Sequence, residues 1–269
     1  MNNSRKILFV CQEVAPYVAE NDMSQFCRTL IQSLQERGNE VRTFMPRYGC
    51  INERRNQLHE VIRLSGMNLI IGKNDHQLII KVATLPSSRA QIYFIDNEDY
   101  FSRKYTTSDS DGVLCEDNDE RAIFFARGVI ETVKKLLWRP DVVHCHGWFS
   151  AIAAIYLKNT FADDPLFKHV KVVFTLYNNP FQENLPGNLR IKIGEEGIAC
   201  HENSLDDNPS YYGLINYVIE HVDGIAVGYA GPNPVIKNII ENSGKPVMWY
   251  QEKEDGIYAE EYLEFYDGL

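Results

Sequence analysis

The stretch KILFVCQEVAPYVAENDMSQFCRTLIQSL, Lys6 to Leu34, decides the fold. It opens with the apolar run KILFV and then sets Met23, Phe26, Cys27, Leu30, Ile31 and Leu34 at i, i+3, i+4, i+7, i+8 and i+11, the spacing of one helix face. A strand feeding an amphipathic helix is the opening unit of a parallel sheet, because parallel neighbours need a crossover between them. Where such a junction holds a phosphate it is usually rich in glycine, since glycines let backbone N–H groups and the helix dipole close on the anion. This loop has no glycine and offers Glu20, Asn21 and Asp22 instead. With Asp22 as N-cap, Gln25 falls at the third helical position and makes a D-x-x-Q capping box, so that the carboxylate occupies the N–H groups a phosphate needs. No nucleotide is expected at this loop.

Outward from this unit, apolar runs recur at NEVRTFM, QIYFI, DVVHC, VKVVFT, DGIAVG and KPVMWY, with helical patterns between several of them. That alternation predicts an α/β fold: a mostly parallel sheet with helices on both faces, a three-layer sandwich. Between Leu58 and Leu85 the runs HEVIRL, NLIIG and HQLIIKVATL are joined only by very short connectors, which force antiparallel pairing and predict a β-meander insertion. A helix is expected over 119–137 with Ala122, Phe125, Ala126, Val129, Val133, Leu136 and Leu137 on one face, stopped before Pro140. Others are expected near Trp148, over 209–220, and in GPNPVIKNIIENSG, which has proline near its start and Gly244 past its end. Residues 106–119 and 181–197 read as long loops. The acidic tail carries Ile257, Tyr258, Tyr262, Leu263 and Tyr266, and predicts a short amphipathic helix within 255–269 that docks on the body of the chain or on a partner. Residues 1–269 read as a single domain.

The 269 residues are 44% hydrophobic and 24% charged, enough for a sizeable core. No apolar run approaches the roughly 20 residues that span a bilayer, and MNNSRKILFV turns polar too soon for a signal peptide. A cytoplasmic protein with no membrane partner is expected. Net charge is −10, 37 acidic against 27 basic residues without a basic stripe, which disfavours nucleic acid. Six cysteines (Cys11, Cys27, Cys50, Cys115, Cys145, Cys200) lack CxxC spacing and read as reduced, buried thiols. Cys145-His146 and Cys200-His201 make a Cys₂His₂ set only if the fold joins them, and nothing in the spacing does so. In HCH, His144 and His146 are taken to point to opposite faces of a strand and so not to chelate one ion. No metal and no cofactor is expected. DNDERAIFF reads as an acidic first helical turn favoured by the dipole.

Taken together, ILFVCQEVAPYV, RGNEVRTFMPRYG, IYFIDNEDYFSRKY, DNDERAIFFARGVIETV, WRPDVVHCHGW and KVVFTLYN resemble the N-terminal half of bacterial glycogen and plant starch synthases, in order from about Lys6 to Ile240. That family moves glucose from ADP-glucose onto an α-1,4-glucan with retention. The resemblance implies a Rossmann-like domain, the first of the two that make a GT-B glycosyltransferase, with acceptor glucan mainly on this half and nucleotide mainly on the other. The nucleotide-binding half is expected to be absent from this chain.

Departures from the family pattern fall at its functional positions. A family Lys-Thr-Gly-Gly-Leu run is replaced by Ala19 to Met23, so that no cation from this loop faces the donor diphosphate. The family aspartate before tryptophan is Gly147, and the histidine of a family Thr-x-His-Asn stretch is Tyr177. Tyrosine is neither base nor cation near neutral pH. The resemblance therefore implies a glycosyltransferase domain that is inactive alone and has no assignable catalytic residue. Glu13, Tyr17, His146, Trp148, Tyr177 and Asn178 are the candidates for lining a cleft. Three roles follow: half of a synthase completed by a separate chain carrying the nucleotide-binding half, a non-catalytic module binding α-glucan or a protein, or a cleft recruited for an unrelated small ligand.

Overall fold

The computed structural model describes residues 4–86, 88–198, 204–252 and 258–269. Strand β1 (Lys6–Cys11) leads into α1 (Asp22–Glu36), then β2 (Glu40–Pro46), β3 (His59–Glu60), β4 (Met67–Ile71), β5 (Asn74–Thr84) and β6 (Gln91–Asp96). After the single turn α2 (Glu98–Phe101) come α3 (Asn118–Lys135), β7 (Val142–His146), a 3₁₀ turn at Trp148–Ser150, α4 (Ala151–Lys158) and β8 (Lys171–Leu176). The remaining elements are α5 (Leu189–Glu195), α6 (Tyr211–Glu220), β9 (Gly224–Val227), α7 (Pro234–Asn242), β10 (Val247–Met248) and α8 (Ala259–Asp267).

The sheet runs β10-β9-β8-β7-β1-β2-β6-β5-β3, with β4 also on β5. From β10 to β6 every pairing is parallel, and the antiparallel pairings gather on β5. The fold is thus α/β with a mostly parallel sheet, as expected. β1 and β7 are buried almost along their whole length, as strands covered by helices on both faces must be. Strand order reverses between β1 and β7. In open α/β sheets the carboxyl ends of strands at such a switch point frame the ligand crevice.

Several local expectations are corrected. The N-cap of α1 is Asn21, not Asp22: Asn21 Oδ1 accepts from Ser24 N at 2.9 Å, and Asn21 N donates to Ser24 Oγ at 3.0 Å. The box is therefore N-x-x-S, and Asp22 stands exposed in the first turn. α3 ends before Leu137, which turns out at φ 49 and is 83% exposed. Trp138 takes the buried place, its indole N–H donating to Glu40 at 2.6 Å. In the meander, β3 and β4 each pair with β5 and not with each other. Residues 181–197 contain α5, held by buried Leu189 and Ile193 one turn apart.

The acidic first turn of α3, expected from the sequence, is also the centre of a buried network. Arg121, fully buried, donates to Tyr100 O at 2.8 Å, Asn118 Oδ1 at 2.6 Å and Thr106 O at 2.7 Å, while Lys192 reaches buried Asp119 at 2.6 Å. These bonds pin the 106–119 segment, whose Ser108–Leu114 bridge folds it back over the crevice. α8 docks on its own chain: Ala259, Tyr262 and Tyr266 are buried, and Phe26 of α1 packs between Tyr258 and Tyr262. Ile257, Cys200 and His201 lie outside the described residues. Cys50 is exposed, contrary to expectation, whereas Cys11, Cys27, Cys115 and Cys145 are buried.

Candidate functional site

A cleft of about 590 Å³ opens at the carboxyl ends of β1 and β7, where the strand order predicts it. Its floor is the turn after β1, one wall is the start of α1, and the others are the Ser108–Leu114 hairpin and the Tyr177–Glu183 segment. Of the residues expected to line it, Glu13, Trp148, Tyr177 and Asn178 do so. Tyr17 does not. It lines a separate depression with Arg55, His59 and Pro86, its ring edge-on to Phe94 at 4.9 Å and its hydroxyl buried without a partner. His146 does not reach the cleft either: it is fully buried beneath the floor.

The histidine pair overturns the strand argument made for it. Residues two apart on a strand share a face, and the rings of His144 and His146 lie 3.9 Å apart, centroid to centroid. His144 is nevertheless fully occupied, its Nδ1 2.7 Å from Tyr266 Oη and its Nε2 2.6 Å from Thr175 Oγ1. Burial, with the neighbouring His146, pushes its pKa well below the ordinary histidine value, so His144 is neutral. His146 Nδ1 is 2.9 Å from Tyr177 Oη, and its Nε2 is buried without a partner.

Ala19, Gly147 and Tyr177 sit in three different surroundings. At the first βα turn, Ala19 to Asp22 are exposed and carry no cation, while Asn21 Nδ2 donates to Glu13 Oε2 at 2.6 Å. Burial raises the Glu13 carboxyl, and bonds including that from Asn21 partly oppose the rise. At Gly147, φ is +81° and a Cβ would meet Gln12 Oε1 and Met23 Sδ, each at 2.8 Å. Gln12 is held there by the Phe149 N–H at 3.1 Å, so side chains from the turn after β1 and from α1 fill the volume a longer residue at 147 would need. At Tyr177 the hydroxyl points inward to His146 and, at 3.8 Å, to Cys27 Sγ. Burial raises its pKa well above the ordinary tyrosine value, so it is neither a base nor an anion.

The rest of the cleft lining combines carboxylates (Glu13, Asp22, Asp111, Glu183) with amides and aromatic side chains. At the cleft, Trp148 and Phe181 meet edge to face at 5.0 Å beside Asn178 and Asn179, and Phe181 packs at 5.5 Å on Tyr211, which is buried behind it. Aromatic faces next to amide donors and acceptors match the alternating apolar faces and hydroxyls of sugars. Sequence reading missed Gln12, Met23 and Phe181. Gln12 follows β1 directly, but only the Cβ environment of Gly147 reveals what it replaces.

A family model described as starch synthase catalytic domain matches residues 6–222. Glycogen synthase from Chlorobaculum tepidum is 42% identical over 219 residues, covering 81% of this chain and 44% of the relative. Glycogen synthase from Chlorobium luteolum is 38% identical over 214 residues, covering 78% and 44%. The chain therefore spans about half the length of the curated relatives it matches or less. Among solved structures, the catalytic domain of starch synthase IV from Arabidopsis thaliana, determined bound to ADP and acarbose, superposes with TM-score 0.72 at 16% identity, over 93% of this chain and 52% of that one. A sucrose-phosphate synthase structure from Thermosynechococcus elongatus gives TM-score 0.51 at 10% identity, over 98% of both chains. Among the described residues no helix is long and apolar enough to cross a membrane. Sequence and architecture lead to one assignment: the chain belongs to the starch synthase catalytic domain family, as a glycogen/starch synthase-like glycosyltransferase domain with the architecture of one GT-B half.

Proposed function

We propose that this domain acts in storage-polysaccharide metabolism in the cytoplasm as a glucan-holding module that does not transfer glucose by itself. The observation that carries this reading is the closed donor corner: Asn21 and Ser24 satisfy each other at the α1 terminus, and Gln12 with Met23 fills the space beside Gly147. A diphosphate brought to this loop would meet Glu13, Glu20 and Asp22 with no lysine in the turn to offset them. Each preorganised group lost from a charge-stabilising site typically costs about 3 kcal/mol of transition-state binding, and such groups act as a unit. The aromatic and amide wall is untouched by these substitutions, which supports α-glucan as ligand. A separate chain carrying a nucleotide-binding half is the partner that would restore transfer, and it would have to bring its own cations.

The test is electrophoresis of the purified chain through native gels with and without glycogen, alongside incubation with labelled ADP-glucose and glycogen. Retardation by glycogen, lost in Trp148→Ala, with no label incorporated, is the expected result. Unchanged mobility in glycogen would remove the glucan-holding role, and incorporation of label by the chain alone would remove the claim of inactivity.

A further inference from the structure

Beneath the cleft floor, Cys11 at the end of β1, Cys27 on α1 and His146 at the end of β7 each bring one ligand atom within 4.8 Å of the other two, and all three are fully buried. The sheet register makes this meeting obligatory. Cys11 is the Cα partner of His146 across the β1–β7 pair, so both side chains leave the sheet on one face. α1 covers that face and sets Cys27 above them. Tyr177 Oη closes the group, 2.9 Å from His146 Nδ1 and 3.8 Å from Cys27 Sγ.

We propose that Cys11, Cys27 and His146 form a buried metal site for a thiophilic d¹⁰ ion, zinc in the first place, with the Tyr177 hydroxyl as fourth ligand or as the group orienting the imidazole. Two observations lead there. The donor set, two thiols and one imidazole, is that of tetrahedral zinc. In such a site, bonds of about 2.3 Å place sulfurs roughly 3.8 Å apart. The present spacing therefore needs at most about an ångström of contraction, within the reach of cysteine rotamers. His146 Nε2 is buried with no hydrogen-bond partner, a cost that a buried polar atom ordinarily avoids and that coordination on this ring would remove. Charge balance also favours it: two thiolates and a divalent cation sum to zero in an interior that would exclude an unpaired charge. Coordination would tie β1, β7 and α1 together under the cleft, a structural role in the position of a nucleotide fold's first turn.

The test uses the full chain, stripped with chelator and titrated with cobalt(II) as optical probe, then with zinc(II) followed by metal analysis. The expected result is one ion per chain, with a thiolate-to-cobalt charge-transfer band, strong d–d bands of a tetrahedral complex and displacement of cobalt by zinc. Cys27→Ala and His146→Ala should each lower affinity at least tenfold, whereas Cys50→Ser, removing the exposed thiol, should leave binding unchanged. Circular dichroism of the stripped variants checks that they keep the wild-type fold. Failure of the folded wild type to bind either ion, or binding that follows Cys50 and not Cys27, overturns the proposal.

Discussion

At the scale of single residues, Tyr17 and Gly147 show what a side chain's surroundings decide. Tyr17 was a cleft candidate by its place in the first βα turn, yet its hydroxyl ends in a dry spot on the other side of the loop. Replacing an unpartnered buried hydroxyl by hydrogen is near neutral or stabilising, so Tyr17→Phe should hold or raise the melting temperature at pH 7. Burial raises the Tyr17 phenol from 10.0 to about 12. A group raised in the folded state contributes stability that is full below its unfolded pKa and lost as pH rises through the folded value. The advantage of Tyr17→Phe should therefore widen between pH 10 and 12, as melting curves across that range would show. Gly147 illustrates the opposite case, a small residue that cannot be enlarged. Gly147→Asp would place a carboxylate beside Trp148, but its Cβ falls 2.8 Å from Gln12 and Met23 at a left-handed φ. The expected outcome is a loss of about 1–3 kcal/mol, read as a lower denaturant midpoint, with no gain in ADP-glucose binding. None of this was legible in the sequence: the glycine was visible as a departure, but its refilling involves residues far from it in the chain.

At the scale of elements, periodicity carried most of the fold because the sheet is buried on both faces and its helices are amphipathic. It failed where a local rule met a competing contact. The helix start went to Asn21 because Ser24 can return the hydrogen bond, an exchange that the Asp22–Gln25 pairing would have required of longer side chains. α5 was hidden by the turn residues before it, although Leu189 and Ile193 stand at i and i+4. The acidic first turn of α3 was expected and is present, but nothing local marks Arg121 as buried. Its three acceptors come from α3 itself and from segments up to 21 residues away. The tail helix was expected, and what it does is specific: Tyr266 completes the hydrogen bonding of His144, whose other nitrogen is taken by Thr175. Tyr266→Phe leaves that imidazole nitrogen buried and unpaired, and should cost about 1–3 kcal/mol in urea unfolding. Removal of residues 258–269 should do more, exposing Phe26 and the apolar face around it. Light scattering should then show association in place of a single species, and unchanged behaviour would count against the covering role of α8.

At the scale of the whole molecule, the chain has the mostly parallel sheet and switch-point crevice of one GT-B half, and the corner around Gly147 and Tyr177 is packed as ordinary core. Around Ala19, Gly147 and Tyr177, the positions at which the resemblance implies a lysine, an aspartate and a histidine, Asn21 bonds Glu13, Gln12 and Met23 stand where a Cβ at 147 would fall, and Tyr177 bonds His146. Drift that merely broke an active site would leave voids and unpaired groups there; of the three positions, only that at Tyr177 adjoins one, the open nitrogen of His146. The account thus separates two affinities that a full synthase must combine, and it does so in one cleft. Calorimetric titration of the chain with a long maltooligosaccharide and, in parallel, with ADP-glucose measures both directly. The account predicts saturable heat from the glucan and none from the sugar nucleotide; heat from ADP-glucose, with or without glucan binding, would contradict it.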